Sequence, residues 1–224
     1  MKAVIFDMDG VIADSEVAWW ETFNRLVESR GIRIPQEEWT RRFPGKGTVY
    51  IMTTLFHEHG FAPPEGTGPW LDKWKASYLE AIKQGKVRPI PGFPEFNRTL
   101  DSLGVKKAIA TGSSRGSVEM FLKIQHISGR FRIAGQEEMK RPKPDPQIFL
   151  KAASLLGEPP GNCIAIEDAP PGIQAARAAG MASIALATTF PRKLLEQESP
   201  WLVAGSYEEI AHALWGNDFP TGQQ

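Results

Sequence analysis

Ala3-Val4-Ile5-Phe6-Asp7-Met8-Asp9-Gly10-Val11-Ile12-Ala13-Asp14 is the stretch on which the reading of this chain turns. Its four leading apolar residues, too few for a helix, read as a strand buried on both faces. The run ends at two carboxylates spaced i, i+2, with a glycine behind them. Side chains two apart in a strand leave it on the same side, so Asp7 and Asp9 are expected to face one cleft. Anions held so close repel, and they call for a cation, hydrogen-bond donors or a shared proton. Asp-x-Asp-Gly alone also suits a calcium loop or a solvated turn, so the decision rests with the rest of the chain.

Past residue 14 the apolar period changes. Residues 17–27 and 70–82 carry apolar side chains at helical spacing, and 15–86 reads as wholly helical. Ser15 suits a helix cap, while Gly31, Pro35, Gly45, Gly47, Gly60 and the cluster Pro63-Pro64-Glu65-Gly66 punctuate the helices. From Val87 onward short apolar runs at 107–110, 131–134, 163–166 and 182–186 alternate with helical segments, with 201–203 as an edge candidate. That alternation implies an α/β fold with a parallel sheet and helices on its faces. A lone strand cannot bury itself, so 3–6 joins the later sheet. The chain then divides into a core, 1–14 with 87–224, and an inserted α-helical cap, 15–86. An insertion at the carboxyl end of a strand lies over the crevice where such sheets bind ligands. Hinges are expected near 14–15 and 87–92, and a frayed tail over 216–224.

Composition narrows the partners. The 224 residues carry 26 basic and 26 acidic side chains with no basic run, which argues against nucleic acid or an anionic membrane and for a small ligand. The single cysteine, Cys163, lies in an apolar run and reads as packing, and His57, His59, His126 and His212 show no metal spacing. No leader peptide and no 18-residue apolar span is visible, so the expected compartment is the cytoplasm, with a monomer as the default.

Three further strand ends carry chemistry. Thr111-Gly112-Ser113-Ser114 follows an apolar strand and precedes a helix, where hydroxyls and free backbone N–H groups suit an anion as well as an ordinary cap. Arg141-Pro142-Lys143-Pro144 holds a lysine between two prolines, a stiff mount for a point cation. Ile164-Ala165-Ile166-Glu167-Asp168 repeats the opening theme, a buried strand delivering acids to its end. Hard oxygen ligands of this kind suit magnesium. The four acids, offset by Lys143 and one divalent cation, leave a single negative charge that one proton removes. Asp9 suits the proton-carrying role, which leaves Asp7 ionised as a nucleophile.

Taken in this order, Asp7-x-Asp9-Gly10-Val11, Thr111-Gly112-Ser113, Lys143-Pro144 and Glu167-Asp168 closely resemble the four motifs of the haloacid dehalogenase-like superfamily, over residues 1 to about 187. The resemblance implies a Rossmann-like core and a phosphotransfer mechanism. Asp7 would form an aspartyl-phosphate, and Asp9 would protonate the leaving oxygen and then activate water. Gly10, Thr111, Gly112, Ser113 and Lys143 would hold the phosphoryl group. Magnesium would bind Asp7, the Asp9 carbonyl and Asp168, with Glu167 as a further ligand or a support to one. The presence of Asp9 argues against dehalogenation, and neither Lys46 nor Lys75 sits in a pattern for imine chemistry.

The helical insertion resembles the cap of sugar phosphatases, phosphoglycolate phosphatases and β-phosphoglucomutases. The mutases carry a histidine where Trp19 stands, a lysine near Trp74, and Gly-x-Ser-Arg where this chain has Gly45-Lys46-Gly47-Thr48. These departures favour a phosphatase of a small phosphorylated metabolite, a sugar, polyol or glycolate phosphate. The alternatives are a phosphosugar mutase and a protein that binds a phosphorylated ligand without turnover. Arg42, Phe43, Lys46, Trp19, Trp20 and Trp74 are the candidates to reach the leaving group, although tryptophans at this spacing also suit a cap core.

Overall fold

The computed structural model describes residues 2–216. The expected tail, beyond Gly216, lies outside the described residues. Strand β1 (Ala3–Phe6) is followed by a two-residue strand, β2 (Ala13–Asp14), and by helices α1 (Glu16–Val27), α2 (Gln36–Arg42), α3 (Thr48–Glu58) and α4 (Gly68–Lys83). The chain returns through β3 (Arg88–Pro89), which pairs antiparallel with β2. Sequence pattern does not reveal this pair, because two residues are too short for any period. It lies at the expected hinges and ties the entry and exit of the helical segment together.

The remainder alternates. Helix α5 (Phe93–Ser102) leads to β4 (Lys106–Ala110), α6 (Arg115–Ile124) to β5 (Phe131–Ala134), and α7 (Gln147–Leu156) to β6 (Cys163–Glu167). Helix α8 (Pro170–Ala178), β7 (Ala182–Leu186), α9 (Arg192–Glu196), β8 (Leu202–Ala204) and α10 (Tyr207–Trp215) complete the fold. The six long strands form one parallel sheet in the order β5-β4-β1-β6-β7-β8, with β8 at the expected edge.

Alternation along the strands sorts side chains into two layers. Val4, Phe6, Ile109, Ile133, Ile166 and Ile184 join the cluster beneath α5, α6 and α10, whereas Ala3, Ile5, Ala108, Ala110, Ala134 and Ala165 join the one beneath α7 and α8. The alanine-rich face lets α7 and α8 approach closely. Helices α1–α4 bury a third cluster of their own, including Phe23, Trp39, Phe43, Met52, Leu55 and Trp74. Among the described residues no helix is long and apolar enough to cross a membrane.

Phe6 lies at the centre of the sheet, fully buried, with edge contacts to Phe93, Phe96 and Phe131. Phe6→Ala is expected to cost about 3–5 kcal/mol. Denaturant unfolding would show it as a lower midpoint at unchanged m-value.

Candidate active site

Asp7 leaves the carboxyl end of the central strand, and its amide still donates to the Ile166 carbonyl of β6 at 2.9 Å. Strand geometry ends at Phe6, yet the alternation carries on: Met8 enters the apolar cluster of Val4 and Phe6, and Asp7 and Asp9 both border the cleft. The chain then reverses tightly, with the Ile12 and Ala13 amides donating to the Met8 carbonyl at 2.8 and 2.9 Å. Gly10 adopts φ +74° in this turn, and a Cβ there would stand 1.9 Å from Asp168 Oδ2 and 2.5 Å from Thr189 Oγ1. Only glycine fits. Gly10 therefore differs from its expected place as a phosphate contact: it does not border the main cavity, and it lets the turn close against Asp168.

Lys143, from the loop between β5 and α7, uses all three ammonium protons. It donates to Asp7 Oδ1 at 2.6 Å, to Glu167 Oε1 at 2.5 Å and to the Ala110 carbonyl at 3.1 Å. Gly172 in the first turn of α8 packs on Glu167 so closely that a Cβ would stand 1.9 Å from the carboxyl carbon. Oxygens of Asp7, Glu167 and Asp168 gather within 4.8 Å of one another, and all three acids are buried. Ionised together, the three carboxylates would leave two negative charges beyond the one ammonium.

The electrostatics follow from burial. It pushes Asp7 up to about 8 against the pull of Lys143, with Glu167 and Asp9 adding repulsion. Asp168 is pushed well above the carboxylate range by burial, then by Glu167 and Asp7. Burial works to lower Lys143, but the adjoining Asp7 and Glu167 outweigh it and hold the ammonium above its ordinary value. A pocket of hard oxygen donors with excess negative charge and no His or Cys fits magnesium.

Asp9 is held differently. Its Oδ1 accepts from Ser15 Oγ at 2.5 Å and Trp19 Nε1 at 3.2 Å, with the Tyr78 hydroxyl at 3.5 Å. Its Oδ2 accepts from Ser113 Oγ at 3.0 Å. Ser15 stands at the start of α1 in helical backbone geometry and makes no side-chain cap, and its hydroxyl donates to the Asp9 carboxylate. Ser113 likewise serves Asp9, and the cap of α6 falls to Ser114, which accepts from the Ser117 amide. Thr111 is buried at the end of β4, where its Oγ1 accepts from the Ser113 amide at 3.0 Å and shapes that turn.

A cavity of about 200 Å³ joins these groups, floored by the strand ends and roofed by α1–α4. Asp7, Asp9, Thr111, Gly112, Ser113, Lys143, Glu167 and Asp168 border it, as do Trp19, Phe43, Lys46 and Trp74 from the helical segment. Trp74 is also fully buried in the segment's core, with its Nε1 donating to the Trp19 carbonyl and Thr22 Oγ1 at 3.2 and 3.1 Å. Arg42 and Trp20 do not border the cavity. Arg42 is taken up by Glu38 and Glu58, and Trp20 donates to the Ile34 carbonyl at 2.8 Å. Sequence reading missed Tyr78 and Glu16 and weighed Lys75 only for imine chemistry; all three border it. Glu16 accepts from Trp39 Nε1 at 3.3 Å, and burial, then Asp9, pushes it up to about 7. Lys75 reaches Gln136 Oε1 on the core at 3.2 Å. Helical spacing in α1 and α4 marks these positions only as turns of an amphipathic helix.

The sheet order, with an acid at the end of its central strand and a helical roof over it, defines a Rossmann-like hydrolase core with an inserted segment. Residues 4–186 match the haloacid dehalogenase-like hydrolase family, and the chain belongs to it. It is 29% identical over 192 residues to the phosphorylated carbohydrates phosphatase of Thermotoga maritima, covering 82% of this chain and 84% of that protein. It is 30% identical over 192 residues to the β-phosphoglucomutase of Bacillus subtilis, covering 82% of each. The crystal structure of CbbY from Rhodobacter sphaeroides in complex with phosphate shares the fold, with a TM-score of 0.82 and 20% identity over 94% of this chain and 96% of that one.

In the metal-free protein the raised Asp7 value means that the folded state binds its proton more tightly than the unfolded chain does. Its contribution to stability therefore falls as pH rises from 3.8 towards about 8. A divalent cation competes with protons for the same carboxylates. Magnesium is expected to raise the thermal unfolding midpoint more at pH 8 than at pH 5, and Asp168→Asn to diminish that gain.

Proposed function

We propose that the protein is a magnesium-dependent phosphatase of a small phosphorylated metabolite, a sugar, polyol or glycolate phosphate, working through an aspartyl-phosphate on Asp7. The observation that carries this reading is the division of labour between two acids two residues apart. Asp7 is buried against Lys143 and the other acids, and Asp9 is bound by four hydroxyl and indole donors at the cavity wall. One sits where a metal and a phosphoryl group would meet; the other sits where a leaving group would depart.

In the first step an Asp7 oxygen attacks phosphorus and the bond to the leaving oxygen breaks. Asp9 gives that oxygen its proton, so an alcohol departs. In the second step Asp9 takes a proton from water as the water oxygen attacks phosphorus, and the bond to Asp7 breaks to release phosphate. Lys143 supplies positive charge beside the phosphoryl oxygens, and the Thr111–Ser114 turn presents hydroxyls and N–H groups to them. Asp7, Asp168, the Asp9 carbonyl and Glu167 would hold magnesium, which when bound offsets the charge of the carboxylates and the phosphoryl group. The helical segment, 15–86, serves as the cap that excludes water and shapes the leaving-group space, with Trp19, Trp74 and Lys46 as its contacts. Its hinges are the β2–β3 crossing.

Near-equal identity to a phosphatase and to a mutase does not separate the two reactions; Trp19 favours the phosphatase. A mutase must retain and return a sugar intermediate, and the imidazole that its relatives carry there can both give and take a proton. An indole N–H only donates.

Phosphate release is to be measured over a panel of sugar, polyol and glycolate phosphates, with β-glucose 1-phosphate included to detect isomerisation. Release should need magnesium, stop on chelation, vanish in Asp7→Asn, and fall by about 10²–10⁴-fold in Asp9→Asn on alkyl phosphates. Isomerised product without phosphate would instead establish a mutase, and binding of phosphate esters without turnover a receptor.

A further inference from the structure

Trp19 and Tyr78 belong to different helices of the cap segment, α1 and α4; Tyr78 is buried in the cluster that continues from the sheet, and Trp19 packs, partly buried, between that cluster and the helical one. Their rings lie parallel, 3.6 Å apart between centroids and 12° between planes. The Trp74 ring stands across the Trp19 ring, with centroids 5.3 Å apart and planes at 81°. In this orientation Trp19 Nε1 points at Asp9 Oδ1, and the Tyr78 hydroxyl stands over the same oxygen. Burial, then the charge of Asp9, pushes the Tyr78 phenol well above its ordinary value, so it keeps its proton and serves as a donor.

Every cap-borne donor thus converges on Oδ1, while Oδ2 faces the core and meets only Ser113. The two oxygens of Asp9 are not equivalent. An oxygen that already accepts from Ser15 and Trp19 is a poor place for a proton, and the other is left to carry it.

We infer that the stacked Trp19–Tyr78 pair is a positioning device for Asp9, which pins one oxygen so that the opposite oxygen presents the proton to the leaving group. The inference rests on the phosphatase reading and deepens it. Neither aromatic residue takes a proton itself; both act through Asp9. The device also makes the acid step depend on the cap, since Ser15, Trp19 and Tyr78 all travel with it while Asp7 and Lys143 belong to the core.

Leaving-group chemistry provides the test. An alkoxide must be protonated as it departs, whereas the acetate released from acetyl phosphate need not be. The value of kcat/KM counts only the steps through transfer to Asp7, so it isolates this difference from the later attack of water. Trp19→Phe keeps a ring on Tyr78 but removes the N–H, and Tyr78→Phe keeps the stack but removes the hydroxyl. On the best alkyl phosphate of the panel, Trp19→Phe should lower kcat/KM by about tenfold, as expected for a hydrogen bond to a charged group. Tyr78→Phe, whose hydroxyl is further away, should lower it by about threefold. On acetyl phosphate, whose leaving group needs no proton, each variant should lose less of its kcat/KM than it does on the alkyl phosphate, with thermal unfolding confirming that both fold.

Equal losses on the two substrates would show that the pair merely shapes the cavity, and no loss on either would show that Asp9 needs no such support; each overturns the inference while leaving the phosphatase intact. A parent that cleaves acetyl phosphate and no alkyl phosphate overturns it as well, because Asp9 then delivers no proton. A parent that cleaves neither overturns the phosphatase reading itself.

Discussion

The ammonium of Lys143, placed between Asp7 and Glu167, is the contact on which the rest of the site depends. Three buried carboxylates within 4.8 Å would otherwise repel with nothing to offset them. The pairing is a weak source of stability, because desolvating both partners costs about what their attraction returns. Its importance is that it keeps a cluster of acidic oxygens inside a folded core. The sheet makes this possible: β1, β4 and β6 end side by side, so Asp7, the Ala110 carbonyl and Glu167 arrive at one point from three strands.

Close approach around that point requires the absence of side chains. Gly10 turns the chain against Asp168, and Gly172 lets the first turn of α8 settle on Glu167. The two glycines thus set how near the acids lie, and the acids' raised proton affinities follow from that proximity and from burial. Asp9 escapes this crowding. It lies two residues further on, ringed by neutral donors, three of them from the helical segment. Two acids of one motif so acquire different surroundings, which is the physical basis for giving them different roles.

Much of the core was legible in the chain. The strands at 3–6, 131–134 and 182–186 were read to the residue, because runs of apolar residues between breakers have few other solutions. The acids and Lys143 were legible as strand-end and proline-framed positions, and the structure brings them together. Less was legible in the helical segment. Arg42 was expected at the leaving group and lies instead in an ion-paired cluster with Glu38 and Glu58. Ser15 was expected to cap a helix and binds Asp9. Tyr78 went unnoticed because an aromatic at helical spacing carries the same sequence signal whether it packs or points into a cavity.

The sequence by itself determined the α/β class, the order of the four motifs, the helical character of the insertion and the oxygen-rich chemistry of the site. These follow from local properties: hydrophobic period, chain stiffness at prolines, and the charge of residues at strand ends. Tertiary structure alone decided which helix faces the acids, that Gly10 serves Asp168 and not the cavity, and that Trp19 and Tyr78 stack over Asp9. The reason is geometric. A helix presents a new face every 100° or so, and only packing against a second element selects the one that meets the site.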